Sequence, residues 1–315
     1  MHPAYSIIFF TTASGLGYGL LAVAAVFVGA GWLPAVPELG AIVISVGVAL
    51  VTAGLLSSTF HLGHPERAWR ALSQFRSSWL SREGVAAILA YVPVAGLAWG
   101  WVWLGEVAGV WLLAAWLTPV LAAVTVYCTG MIYASLKAIP RWHHPLVPWL
   151  YVALGLATGA VGFHLVVAMF GAANMRSAGV AVAGLLAAAV LKIAYWRSID
   201  TADPVATAET ATGLGGFGDV RPLDPPHTAP NYLQKEMGYR VARKHARKLR
   251  KITLVTLFAI PPICVALSVF AGFFLGAALA VIAALSVGLG ILIERWLFFA
   301  EAVHVVTLYY GEKAA

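Results

Sequence analysis

The sequence predicts an all-α, polytopic membrane helix bundle of eight transmembrane helices, N-in and C-in. Three observations carry this: its composition, the number of its long apolar runs, and the side on which its cations fall. Of 315 residues, 61% are hydrophobic and only 10% charged, and mean hydropathy is +0.86. A soluble domain carries about 25% charged residues. A chain of this length with so little charge cannot cover itself with polar surface. That excludes an ordinary soluble enzyme, a disordered chain and a secreted disulfide scaffold.

A membrane helix needs roughly 20 mostly apolar residues. Eight such runs are present, at approximately 6–33, 39–60, 84–105, 108–137, 146–171, 178–196, 252–275 and 277–304. No Lys or Arg precedes the first run, and it is too long for a signal core, so a retained span is expected there. The last two runs nearly touch. Gly272 and Gly276, with small residues around them, allow a tight turn between them. Barrel-like alternation is absent, so helices are expected throughout. No internal repeat is visible, and residues 1–315 read as a single membrane domain.

Three polar segments separate the runs. Residues 61–83 (HLGHPERAWRALSQFRSSWLSRE) form an amphipathic loop, and Lys137–Pro145 is a short connection. Residues 197–251 form a long loop, expected to dock partners. Its first half is irregular; its second half, YLQKEMGYRVARKHARKLRKI, has helical periodicity and many cations, as an amphipathic helix at the bilayer surface would. Both chain ends and all three segments fall on one side. That side holds Arg67, Arg70, Arg76, Arg82, Lys137, Arg141, Arg197, Arg221, Lys235 and seven cations from Arg240 to Lys251, whereas the opposite loops hold only Arg176. Positive-inside bias places the cationic side in the cytoplasm. The net charge of +7 therefore reads as membrane topology, with no nucleic-acid partner.

Cys128 and Cys264 lie far apart in apolar runs. A cluster or structural zinc site needs about four ligands, so both are expected to pack as small hydrophobes and no metal is assigned to this protein.

The candidate chemistry gathers at the cytoplasmic side. His61 ends the second run and Glu83 opens the third; Arg67, within pairing reach of Glu83 or Glu66, lies between them, and Tyr133 closes the fourth. A histidine that titrates near neutrality and a carboxylate on the cytoplasmic side suit proton delivery to a quinone carbonyl. The bland alternatives are a backbone-bonded interfacial histidine and a carboxylate favoured by a helix N-terminus. Trp69, Trp79, Tyr127 and Trp142 are aromatic neighbours that either flank a quinone ring or anchor the interface. A secondary polar group, Glu294, Arg295, Glu301 and His304, lies in the last run, with Glu294 and Glu301 seven apart on one face. A structural ion pair is the simpler reading of Arg295, and a proton path the alternative. His164 is intramembrane and is read as bonding a neighbouring helix. A b-type haem is the weaker reading: His164 lies toward the other face from His61, His144 and His304, leaving a His61–His304 pair as the conceivable ligands.

The stretch HLGHPERAWRAL…SSWLSREG resembles the membrane-anchor subunit of DMSO reductase-type complexes, the DmsC family. Its HLG-x-P-x-RA pattern is met by His61, Leu62, Gly63, Pro65, Arg67 and Ala68, and its Leu-Ser-x-Glu by Leu80, Ser81 and Glu83. Tyr133, Pro140 and Trp142, then Arg295 and Phe298, resemble two further family stretches. The resemblance implies an anchor that exchanges electrons with membrane quinone, ubiquinone or menaquinone. It also implies an iron–sulfur electron-transfer subunit and a molybdopterin catalytic subunit as partners; the molybdenum cofactor and clusters would reside there. It implies quinone contact for His61. His64 falls where the family pattern varies and inherits nothing. The cationic loops and the added segment Gly213–Ala246 are similar to anchors of cytoplasmic, membrane-bound sulfite dehydrogenases. That likeness implies sulfite oxidation by the partner, at the bacterial inner membrane. A transporter working alone is the competing class; against it stand the absence of paired Gly/Pro helix breaks and of repeats. Pro261–Pro262 is the one suggestive break.

Overall fold

Eight helices long and apolar enough to cross a bilayer make up the computed structural model of this protein. They are α1 (Tyr5–Gly29), α2 (Pro37–Phe60), α3 (Trp79–Leu104), α4 (Gly109–Ala134), α5 (Leu146–Met169), α6 (Met175–Thr201), α7 (His245–Ser268) and α8 (Phe273–Ala300). The structure describes residues 4–61, 63–224, 229, 231 and 241–314, with the backbone alone at His61 and 241–244. The protein is 78% helical, without a strand among the described residues.

The helix ends differ from the apolar runs by a few residues, each for a local reason. α3 starts at Trp79, not near 84, because the Ser78 hydroxyl accepts the Ser81 N–H at 3.4 Å and caps it. Ser81, Arg82 and Glu83 thus lie inside the helix. α6 continues to Thr201 and α7 begins at His245, where polar residues carry on the helix beyond the apolar run. The turn before α8 falls at Val269–Gly272, so Gly276 is helical and α8 ends at Ala300; His304 lies past it.

α1 is the central helix, packed against α2, α4, α5 and α8. Its crossing with α5 is backbone on backbone. A Cβ at Gly19 would lie 1.9 Å from the Gly155 carbonyl oxygen, and one at Gly159 would lie 2.1 Å from the Gly19 carbonyl carbon. The two small-xxx-small pairs, Gly15/Gly19 and Gly155/Gly159, make this approach, the usual way to pack spans that gain nothing from hiding apolar surface in lipid.

α7 carries the break at Pro261–Pro262. The two prolines lack N–H donors, and the preceding turn, Leu254–Ala259, widens to a π-helix. Ser286 of α8 donates to the Thr256 carbonyl of that turn at 2.6 Å. α3 also ends in a π turn, Trp99–Leu104, whose Trp101 indole donates to the Val36 carbonyl at 3.0 Å.

The polar loops meet at one end of the bundle. A 3-10 helix, Pro65–Gln74, lies between α2 and α3, and Leu72 packs closely over Gly84. The tail after α8 ties the other two loops together: Val305 N–H donates to the Ala138 carbonyl at 3.0 Å, and Ala208 N–H to the Lys313 carbonyl at 3.1 Å. Within 232–252, the helix is described from Val241 onward and runs directly into α7; residues 232–240 lie outside the described residues.

Candidate functional site

Glu83 is the fifth residue of α3, one turn in from its cap, and faces α4. It is 5% exposed. Thr129 of α4 donates its hydroxyl to Glu83 Oε1 at 2.5 Å, with the Thr125 carbonyl as a second acceptor at 3.1 Å. An ionisable side chain buried within a membrane bundle is costly and is a candidate functional group.

Arg82 does not reach Glu83. Its guanidinium donates to the Phe75 and Arg76 carbonyls at 3.1 and 2.8 Å and lies 4.2 Å over the Trp79 ring, tying the loop to the start of α3. Arg67 is placed apart too: it is exposed and lies 3.7 Å from Glu66, the other of its two expected partners. His61 closes the 3-10 turn Ser58–His61 with which α2 ends; its side chain lies outside the described residues.

Tyr133, one turn beyond Thr129, is buried in an aromatic cluster. Its ring stacks on Tyr151 at 5.6 Å and meets Trp142 edge-on at 5.2 Å, Phe298 at 5.6 Å and Phe299 at 5.3 Å. The Trp142 indole donates to the Phe298 carbonyl at 2.9 Å. These rings join α4, the α4–α5 loop, α5 and α8. Trp79 and Tyr127, half-buried and edge-to-face at 6.4 Å, line the outside of α3 and α4, with Trp149 at 5.2 Å from Tyr127.

The charges of α8 form two separate groups. Glu294 hydrogen-bonds Lys192 of α6 through Oε1 and forms an ion pair with Arg295 Nε at 3.0 Å through Oε2, and all three side chains are almost fully buried. Arg295 lies 3.9 Å over the Tyr151 ring. The structural ion pair expected for Arg295 is thus present, with a lysine added. Glu301 just ends α8 and pairs elsewhere: Arg250 of α7 donates to it at 2.9 and 2.8 Å and to Asp200 at 2.5 Å. This clamp closes the end of α6 and the start of α7 onto the tail. His304 caps the turn Val305–Leu308 by accepting the Val306 N–H at 3.0 Å. Burial holds its ring below the usual histidine range, in the neutral form the cap needs.

His164 joins three helices. Its Nδ1 lies 3.0 Å from Ser177 of α6 and its Nε2 lies 2.8 Å from Ser268 of α7. Both ring nitrogens are engaged, and the residue acts as the helix-bonding group expected. No cluster of three or more His, Cys, Asp or Glu suited to a metal occurs among the described residues.

Sequence reasoning missed Lys192, Thr129, Asp200 and the Arg250 clamp. A lysine inside the sixth apolar run was the available signal for Lys192; for Thr129 there was none, since threonine is ordinary in a span. Also missed was a cavity of about 430 Å³ at the loop end, bordered by Arg141, His143, His144, Ser198, Asp203 and Val303. His144 accepts the Leu146 N–H at 3.2 Å through Nδ1, so its Nε2–H donates to Ser198 at 2.9 Å. Burial holds this ring below the usual histidine range as well.

The DMSO reductase anchor subunit (DmsC) family model matches residues 1–311. The protein belongs to that family. Across the full length of both proteins it is 33% identical to a sulfite dehydrogenase subunit of Allochromatium vinosum. It is 32% identical to an anaerobic dimethyl sulfoxide reductase subunit of Haemophilus influenzae, over 34% of its own length and 39% of that relative's. The corresponding Escherichia coli protein is 29% identical over 31% and 34%. The protein is therefore a membrane-anchor subunit of a DMSO reductase-family enzyme, a multi-pass protein of the bacterial inner membrane.

Proposed function

We propose that this anchor holds a molybdenum/iron–sulfur oxidoreductase on the cytoplasmic face and passes electrons from sulfite oxidation to membrane quinone. The full-length similarity to a sulfite dehydrogenase subunit carries this reading. The cationic loops support a cytoplasmic orientation, both ends inside, and those loops with the C-terminal tail are the docking surface. The iron–sulfur subunit docks there and brings its last cluster within tunnelling distance of the quinone head.

The quinone ring lies near the α2–α3 loop and the first turn of α3, with Trp79 and Tyr127 beside it and its tail in lipid. His61 hydrogen-bonds a carbonyl, and Glu83 supplies protons taken from the cytoplasm. Arg67, exposed and bound to Glu66, draws acidic partner surface rather than quinone; Tyr133 positions Glu83's helix pair through the aromatic cluster. The chemistry balances: sulfite, water and quinone give sulfate and quinol. The two protons released at molybdenum and the two taken up by quinone belong to the same compartment, so turnover moves little net charge across the membrane.

The test is sulfite-dependent quinone reduction by the purified complex. His61→Ala is expected to leave assembly intact and to cut this rate at least tenfold; an unchanged rate would make His61 structural. A second reading, supported by the partial similarity to dimethyl sulfoxide reductase subunits, is an anchor serving another cytoplasmic molybdoenzyme. Quinone reduction driven by a different oxyanion or sulfoxide couple, and not by sulfite, would favour it.

A further inference from the structure

We propose that a water molecule bound inside the bundle joins Glu83 and Thr129 to the Lys192–Glu294–Arg295 cluster, making one proton-exchanging unit within the membrane. A cavity lies between α1, α4, α5 and α8, with about 10 Å³ open to the centre of a water molecule, close to the room one water needs. Its wall includes Thr12, Thr129, Tyr151, Thr158 and Arg295. Tyr151 is 3% exposed, and its hydroxyl has no hydrogen-bond partner among the described residues; neither has the buried Thr12 hydroxyl. The Arg295 guanidinium, which also borders this space, lies 3.9 Å over the Tyr151 ring. Unmet buried hydroxyls around a water-sized space are the mark of a structural water.

Charge points the same way. Lys192 and Arg295 share one carboxylate, Glu294, so the buried cluster carries one excess positive charge when ionised. Glu83, on the other side of Thr129, is a buried carboxyl with a hydroxyl for its described partner. An unmatched cation and an unmatched acid in one apolar bundle stabilise each other if a polar path connects them.

Thr129 makes the path responsive. Its hydroxyl has one proton and two acceptors, Glu83 and the Thr125 carbonyl. With Glu83 ionised, Thr129 donates to it. When Glu83 is protonated it donates to Thr129, whose proton turns to Thr125, leaving the water a different partner. The charge state of Glu83 is thereby relayed to Arg295, and the proton that Glu83 gives up is replaced from the cytoplasm. This deepens the quinone reading and depends on it for where the proton goes.

The test uses the intact complex in lipid nanodiscs. Infrared difference spectra between acid and alkaline pH give the Glu83 carboxyl band, assigned by its loss in Glu83→Gln. Thr12→Val removes one hydroxyl from the cavity, touching neither Glu83 nor the cluster; Lys192→Met removes the excess charge. The expected result is that both variants move the frequency and the pH midpoint of the Glu83 band, the midpoint by about one unit in Lys192→Met, and that Lys192→Arg restores it. A Glu83 band identical to wild type in Thr12→Val and Lys192→Met overturns the proposal. Should Lys192→Met fail to assemble, Thr12→Val, almost unchanged in shape, decides alone. No turnover is needed for this readout, so a complex that fails to reduce quinone would count against the functional reading and leave this result standing.

Discussion

Thr129 of α4 donates its hydroxyl to Glu83 of α3 at 2.5 Å, in a bundle interior where Glu83's described partner is this hydroxyl and not a cation. A carboxyl so held can take up and release a proton without losing this hydrogen bond, because a hydroxyl serves equally as donor and acceptor. Glu83→Gln keeps the hydrogen bond and removes the titration. It is expected to leave the complex assembled and to lower quinone reduction at least tenfold, whereas Thr129→Val, which orphans Glu83, also destabilises the anchor by about 1–3 kcal/mol. Steady-state rates and detergent melting curves on both variants check this.

The buried cluster makes an ordered prediction. Removing Lys192 leaves Glu294 and Arg295 as a neutral pair, while removing Glu294 leaves two cations in an apolar interior. Breaking a buried pair so that a charge is stranded costs about 3–5 kcal/mol. Glu294→Ala is therefore expected to prevent accumulation in the membrane, and Lys192→Met to accumulate with a modest loss of thermal stability. Immunoblotting of membranes followed by melting in mild detergent ranks the two.

The α1–α5 crossing offers a steric test. Alanine at Gly19 or Gly159 would drive a methyl into backbone at 1.9 or 2.1 Å, where nothing flexible can yield. Either substitution is expected to abolish folding of the anchor. Gly288→Ala, with nothing within 4 Å of its added carbon, is expected to be silent. Size-exclusion profiles of the three variants separate these outcomes.

His144 gives a pH dependence with a definite sign. Burial keeps its folded ring below the ordinary value of 6.5, so the unfolded protein binds more protons near and below that pH. Stability from this site is therefore highest above 6.5 and falls as pH drops. His304, shifted the same way, adds to the effect. Melting temperatures between pH 7.5 and 5.5 are expected to fall for the wild type and to fall less steeply for His144→Gln, whose amide can still meet Ser198.

The number and sequence of the spans were readable from the apolar runs because lipid imposes one requirement on all of them. Their ends were less so. The cap at Ser78 and the polar continuation of α6 to Thr201 depend on side-chain partners that hydropathy does not register. Glu83 stood out as a carboxylate at a span's edge, yet its partner Thr129 lies 46 residues away and looks like any small span residue. Glu301 and Glu294, seven apart, suggested one polar face. The helix stops at Ala300, and Glu301 turns to Arg250 across the loop end. Pairings of this kind are set by helix order, which a single sequence does not reveal.

The central claim, a quinone-reactive anchor for a cytoplasmic sulfite-oxidising complex, is tested most directly by purifying the protein from its native membrane in mild detergent and assaying what accompanies it. The account predicts that a molybdenum subunit and a cysteine-rich, cluster-bearing subunit are recovered with it, and that sulfite reduces added quinone only when all three are present. An anchor recovered folded and alone, or a complex that oxidises sulfite but leaves quinone untouched, would contradict it.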